Sequence, residues 1–251
     1  MKIYQGYISP GFEKFGFLEM FKLRAYDDGD APLVVFGCYK STDVDVIKAH
    51  RNHVVVIWIG NDSWKTDDVR QSNVTNATWL PPLYRFMREK KQADIRLLKI
   101  PTLQKPNPIV KGDKIYTYLN LSKPDYHGSK IINELNLGER LLIGDGSITK
   151  EDWYSGVCDE FYSKTFIGLF LSGYVGGCFS ALEMGLRGIR VVTNVFEFPH
   201  TIAWKSKKDI IEAIKWEETR IGDKNEWLAV QVFDQCAHDM DCFDLDELCL
   251  D

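Results

Sequence analysis

The chain has 251 residues, of which 45% are hydrophobic and 27% charged, and its formal net charge is -5. That length can bury a sizeable core in one large domain or two small ones, and the composition excludes a fibre or a disordered chain. The acidic balance argues against a protein whose main affinity is for phosphate backbones, because that affinity rests on many Lys and Arg contacts. No apolar run approaches the roughly 18 residues of a membrane span. The opening MKIYQGYISPGFEKFG lacks the basic start and apolar stretch of a signal peptide, so a cytoplasmic chain is expected.

In chain order, strands are predicted at 2–8, 33–37, 53–59 and 94–99, with helices at 43–50, 64–71 and 82–92. Asp43 and Asp45 begin the first of these helices and form no metal-holding pair. Residues 100–114 (IPTLQKPNPIVKGDK) then place three prolines in eight positions, which no regular element survives, so they read as a linker. A second alternating series follows: strands at 114–119, 140–144, 166–171 and 189–193, and helices at 128–136, 158–164 and 178–187. Beyond residue 204 the pattern turns helical, with Ile210, Ala213 and Ile214 on one face. The tail from Asp234 to Asp251 holds seven acids and no Lys or Arg, and reads as an acidic amphipathic helix. Such alternation predicts an α/β protein with two Rossmann-like domains facing a cleft and helices at the C-terminal end. The expected boundaries are 1–105, 106–235 and a terminal helix at 236–251.

Six cysteines are scattered without a CxxC pair and read as reduced thiols. Cys236, His238, Cys242 and Cys249 match no tetrahedral zinc spacing, and no metal is expected. Sequons at Asn61, Asn73, Asn76 and Asn120 carry no weight without a secretory route. Two basic strips, Arg85–Arg88–Lys90–Lys91 and Lys205–Lys207–Lys208, read as solvated helix faces.

Glycines set the chemistry. Gly173, Gly176 and Gly177 stand between an apolar strand and a helix carrying Glu183. There they let the backbone approach a ligand, while the helix end offers unpaired N–H groups to a phosphate or diphosphate. A tight turn that needs small residues is the alternative reading of the glycines, and a dipole-stabilising acid that of Glu183.

Four segments in order carry a resemblance over residues 114–194. FSALEMGLRGIRVVTN, EFYSKTFIGLFLS, RLLIGDGS and YLNLSKPDYHGSK resemble the nucleotide-sugar-binding half of GT-B glycosyltransferases, mostly of the retaining type. The resemblance implies that Gly176, Gly177 and Ser180 line the donor diphosphate, with Ser122 beside them, and that Glu183 binds the ribose hydroxyls. Lys123 or His127 would stabilise the leaving phosphate, Trp153 and Tyr154 would shape the base pocket, and Gly188 would precede the next strand. Val175 stands where the family has its first acid, and Asn120 and His127 where it has Arg and Lys.

In the first half, VVVIWIGNDSWK ends a strand in Gly60, Asn61, Asp62 and Ser63, and is similar to a turn in a bacteriophage DNA α-glucosyltransferase and to turns in cell-surface glycosyltransferases. That likeness puts Asp62 at the cleft as a catalytic residue contacting sugar; a helix N-cap is the alternative. Tyr7, Ser9 and Gly11 close the first strand beside it. The function implied is transfer of a sugar from a nucleoside-diphosphate sugar, UDP-linked or otherwise, with no metal or other cofactor. The acceptor would be a hydroxyl of a surface or capsular glycan or of modified phage DNA. A catalytically lapsed nucleotide-binding module and a nucleotide-sugar epimerase on the same fold are the alternatives.

Overall fold

The structure, a computed structural model, describes residues 4–10, 13, 16–102, 104–118, 128–144, 157–171, 178–195 and 197–237. These fall into two compact units. One comprises the residues up to 102 together with Cys236 and Ala237, and the other runs from Gln104 to Gln235.

The first unit is built on six parallel strands: β1 (Gln5–Ile8), β2 (Arg24–Ala25), β3 (Leu33–Phe36), β4 (Val54–Ile57), β5 (Val74–Thr78) and β6 (Ile95–Leu97), in the order β2-β1-β3-β4-β5-β6. LVVF and VVVI are wholly apolar because β3 and β4 are buried on both faces, as central parallel strands are. Helices α1 (Phe17–Met20), α2 (Ser41–Ala49) and α3 (Pro81–Lys90) connect them, α3 opening on two prolines where no N–H is needed.

Helix α1 and the two-residue strand β2 have no counterpart in the sequence expectation, and two further elements of this unit depart from it. Strand β5 was not anticipated because VTNAT is polar, but its polar side chains bond sideways within the sheet. Asn76 Oδ1 accepts from Trp58 Nε1 at 2.9 Å, and Thr78 Oγ1 donates to the Trp58 carbonyl at 2.7 Å. The helix expected at 64–71 is instead a 3-10 helix, Asn61–Val69. Thr66 Oγ1 donates to the Ser63 carbonyl at 2.6 Å, the kind of local side-chain bond by which Ser, Thr and Asp compete with α-helical pairing.

The second unit carries five parallel strands: β7 (Lys114–Tyr118), β8 (Leu141–Gly144), β9 (Thr165–Phe170), β10 (Arg190–Thr193) and β11 (Thr201–Ile202), in the order β11-β10-β9-β7-β8. Its helices are α4 (Ser129–Leu135), α5 (Val157–Ser163), α6 (Cys178–Leu186), α7 (Lys207–Glu218) and α8 (Glu226–Asp234). Ile210, Ala213 and Ile214 of α7 join Ile115, Phe166, Ile167, Leu169 and Val192 in the core, the face that their spacing predicts. Ser206 and Asp209 cap α7 reciprocally, and Asn225 caps α8 by accepting from the Leu228 amide at 3.1 Å. Gly188 has φ 78, and a Cβ there would lie 2.5 Å from the Asn225 carbonyl oxygen, so only glycine fits before β10.

Numbered within its own sheet, each unit has the order 2-1-3-4-5, the first unit adding a sixth strand. The chain therefore reverses its lateral direction between β1 and β3, and again between β7 and β9. Two α/β units with parallel sheets are compatible with Rossmann-like domains. Of the expected terminal helix at 236–251, only Cys236 and Ala237 are described. Ala237 returns to the first unit, donating to the Ile100 carbonyl at 2.9 Å and accepting from the Thr102 amide at 3.1 Å. No helix among the described residues is long and apolar enough to cross a membrane.

The second unit also buries an ion pair. Lys111 Nζ lies 2.7 Å from Glu217 Oε2, with side-chain exposures of 1% and 0%. Glu217 Oε1 further meets Arg190 Nε at 3.3 Å and Arg220 Nη1 at 3.4 Å, both cations being about one-third exposed. Removing Lys111 leaves the carboxylate two other cations, whereas removing Glu217 strands a buried ammonium. Urea unfolding should accordingly show Glu217→Gln losing about 3–5 kcal/mol and Lys111→Met distinctly less.

Candidate functional site

In open parallel sheets, ligands bind outside the carboxyl ends of the strands, at the point where the strand order reverses. Each unit has one such point.

In the first unit, the carboxyl ends of β1, β3 and β4 are tied by two buried acids. Asp43, in the first turn of α2, accepts from Tyr7 Oη at 2.8 Å, Ser9 Oγ at 2.6 Å and the amides of Tyr39 and Lys40, each at 2.8 Å. Burial, followed by this contact with Asp43, pushes the Tyr7 phenol up to about 12. Asp62 accepts from the amides of Gly60 at 2.8 Å, Cys38 at 3.0 Å and Ile59 at 3.3 Å. Burial raises its carboxyl to about 6, against the opposing effect of those amides. Both oxygens of Asp62 are thus engaged by backbone at the ends of β3 and β4, and the residue is 2% exposed. Sequence reasoning offered cleft chemistry or a helix cap for Asp62; the contacts are those of a brace between two strand ends. Cys38, between the two acids, is pushed by burial to about 12 and is no nucleophile.

In the second unit, β7 ends at Tyr118 and β9 at Phe170, and these strands flank the reversal point. The segments 119–127 and 172–177 leave from their carboxyl ends. Ser122, Lys123 and His127 belong to the first of these, Gly176 and Gly177 to the second, and Tyr154 to 151–156; all six lie outside the described residues, as do Gly11, Asn120, Trp153, Gly173 and Val175. Helix α6 follows directly, with Ser180 in its first turn and Glu183 in its second, both buried.

Glu183 sits in a polar network within this unit. Its Oε2 accepts from Tyr162 Oη at 2.8 Å and its Oε1 from Gln104 Nε2 at 3.0 Å. Arg187, one turn further along α6, donates to the Gln104 side-chain oxygen at 3.2 Å, to the Glu183 carbonyl at 3.0 Å and to Asp159 Oδ1 at 2.6 Å. Its guanidinium carbon lies 4.8 Å from the centre of the Tyr162 ring. Each Glu183 oxygen keeps a second lone pair, enough to accept two further hydroxyl donors. Burial lifts its carboxyl to about 7, outweighing the opposing pull of Tyr162, Arg187 and Gln104.

Sequence reasoning found Glu183 but not its partners. Arg187 was within reach, since four residues apart on a helix means a shared face. Tyr162 and Gln104 were not, lying 21 and 79 positions away. Behind α6, His200 is fully buried, with its ring nitrogen 2.6 Å from where a Cβ on Gly185 would lie; burial lowers it to about 3, so it is a neutral packing residue. Among the described residues, no group of three or more His, Cys, Asp or Glu is placed to hold a metal ion.

Glu183 binds its proton more tightly in the folded chain than in the unfolded one, where its value is near 4.5. Its contribution to stability therefore falls as pH rises from about 4.5 through 7. Replacing it by Gln, a neutral side chain of the same shape as the protonated acid, removes that loss. Measured by thermal unfolding, Glu183→Gln should match the parent near pH 4.5 and exceed it at pH 8, by on the order of 3 kcal/mol.

No family model matches the chain, and no curated protein does. Among solved structures it is similar to the "Glycosylation Associate Protein (Gap123) complex" from Streptococcus agalactiae, with a TM-score of 0.46 and 11% identity over 95% of this chain and 57% of that one. The chain spans little more than half the length of that neighbour, and a likeness of this depth adds no weight to any reading of fold or function.

Proposed function

We propose that the chain is a GT-B glycosyltransferase that moves a sugar from a nucleoside-diphosphate sugar to an acceptor hydroxyl. One observation carries this reading: the segments with the glycines and the Ser122–Lys123–His127 group leave the two strands that flank the sheet's reversal point. In this reading the diphosphate lies against Gly176, Gly177 and Ser180 at the start of α6, where backbone N–H groups and the helix dipole favour an anion. Ser122 lies beside it, Tyr154 flanks the base, and Glu183 takes the ribose hydroxyls on its remaining lone pairs. Lys123 or His127 supports the charge that develops on the leaving nucleoside diphosphate. Asp62, with its carboxyl engaged by backbone amides, serves by shaping the strand-end turn of the acceptor-side unit. Activation of the acceptor hydroxyl and the acceptor's identity, a glycan or modified DNA, follow from the likeness alone.

A second reading, a nucleotide-binding module without transfer, is favoured by one contact set: both Glu183 oxygens already hold protein donors, and Val175 replaces the family's first acid.

Incubation with UDP-, GDP- and ADP-sugars separates the two. Transfer predicts slow release of nucleoside diphosphate, cut at least about tenfold by Lys123→Ala, while that diphosphate still raises the unfolding temperature. At a concentration of 100 times Kd the stabilisation is about 2.7 kcal/mol. Stabilisation without release supports the module. If no nucleoside diphosphate stabilises the chain and none is released, both readings fail.

A further inference from the structure

A hollow of about 600 Å³ lies in the first unit between the 3-10 helix and α3, lined by Trp64, Asp67, Arg70, Phe86, Lys90 and Lys91, with Gln92 at its rim. Arg70 precedes β5, and Lys90 to Gln92 precede β6, so the hollow extends toward the amino ends of those strands, away from the carboxyl edge where Asp43 and Asp62 sit. Its size is that of a small-ligand site.

Trp64 is 64% exposed although its neighbours Ser63 and Thr66 are buried. Its ring is oriented rather than loose: Phe86 meets it edge-on at 5.3 Å between centroids, and the Lys91 ammonium stands 5.4 Å from its centre. The polar wall is equally organised. Asp67 is held between Lys91 Nζ at 2.8 Å and Arg70 Nη2 at 3.0 Å, and Arg70 also donates to the Lys91 carbonyl at 2.7 Å. The bond from Lys91 lowers the Asp67 carboxyl, which keeps it an ionised acceptor.

We propose that this hollow is a glycan-binding site, in which the C–H face of one pyranose ring lies on the Trp64 indole and its hydroxyls bond to Asp67, Arg70, Lys90 and Gln92. A sugar hydroxyl both donates and accepts, so it can use a wall in which one carboxylate stands among three cationic donors. A phosphodiester chain gains less from that wall, because Asp67 already engages the Arg70 guanidinium and the Lys91 ammonium. An exposed indole supplies the flat apolar surface that a ring's C–H face covers. The site deepens the proposed function by giving the acceptor-side unit a second grip on a glycan. It is tested with no sugar nucleotide present, so its failure is distinguishable from failure of the donor reading.

The test is fluorine NMR of the full chain labelled with fluorotryptophan, the Trp64 resonance being assigned by its loss in Trp64→Phe. Maltohexaose, cellohexaose, chitohexaose and an isomalto-hexasaccharide are titrated into the millimolar range, and an oligothymidylate serves as the nucleic-acid probe. The expected result is a saturable shift of the Trp64 resonance with at least one hexasaccharide, weakened about tenfold or more in Asp67→Ala and in Arg70→Ala, with circular dichroism unchanged. A Trp64 resonance that no hexasaccharide moves, or that only the oligothymidylate moves, overturns the proposal, as does a shift that survives both substitutions.

Discussion

A parallel strand buried on both faces has nowhere to place chemistry except at its ends. In this chain that constraint fixes nearly everything else. LVVF, VVVI and TFIGLF are closed in from above and below, so polar side chains gather where the strands stop. Both sheets reverse their lateral direction beside their first strand, the place where open parallel sheets bind ligands. The functional reading follows from which segments of the sequence adjoin those points.

Burying a carboxylate is costly unless it is compensated, and the four buried acids among the described residues solve this differently. Asp43 takes two hydroxyls and two amides, and Asp62 takes three amides. Glu217 is surrounded by three cations. Glu183 has a phenol and an amide side chain, neither charged, while the nearby Arg187 directs its donors to Gln104, Asp159 and a carbonyl. Its raised proton affinity is the expected outcome of weaker compensation. Burial raises Asp62 as well, to about 6 against about 7 for Glu183, so both carboxyls change charge within reach of neutrality.

Much of the architecture could be read from the sequence because it rests on local signals. Apolar runs gave the positions of β3, β4, β7, β9 and β10 to within a few residues, and the spacing of Ile210, Ala213 and Ile214 gave the buried face of α7. What escaped rests on distant partners or, in the 3-10 helix, on competition between side chains and backbone. VTNAT is a strand because Trp58 and its neighbours receive its polar side chains, and NDSWKTDDV winds tightly because its own side chains compete for backbone. Glu183 and Ser180 stood out by their place behind the glycines, but the Gln104–Arg187–Tyr162 surroundings join three separate stretches of chain. Asp43 read as an ordinary helix-start residue; that it also gathers Tyr7 and Ser9 is a fact of tertiary structure.

The short ladder at Ala237 bears on how the chain is made. Its partners, Ile100 and Thr102, emerge from the ribosome more than a hundred residues earlier, and the whole second unit is synthesised in between. The first unit can collapse around its own sheet during synthesis, but the two bonds between 100–102 and Ala237 form only once that residue arrives. Translation thus makes all of the second unit before the stitch at Ala237 can close onto the first.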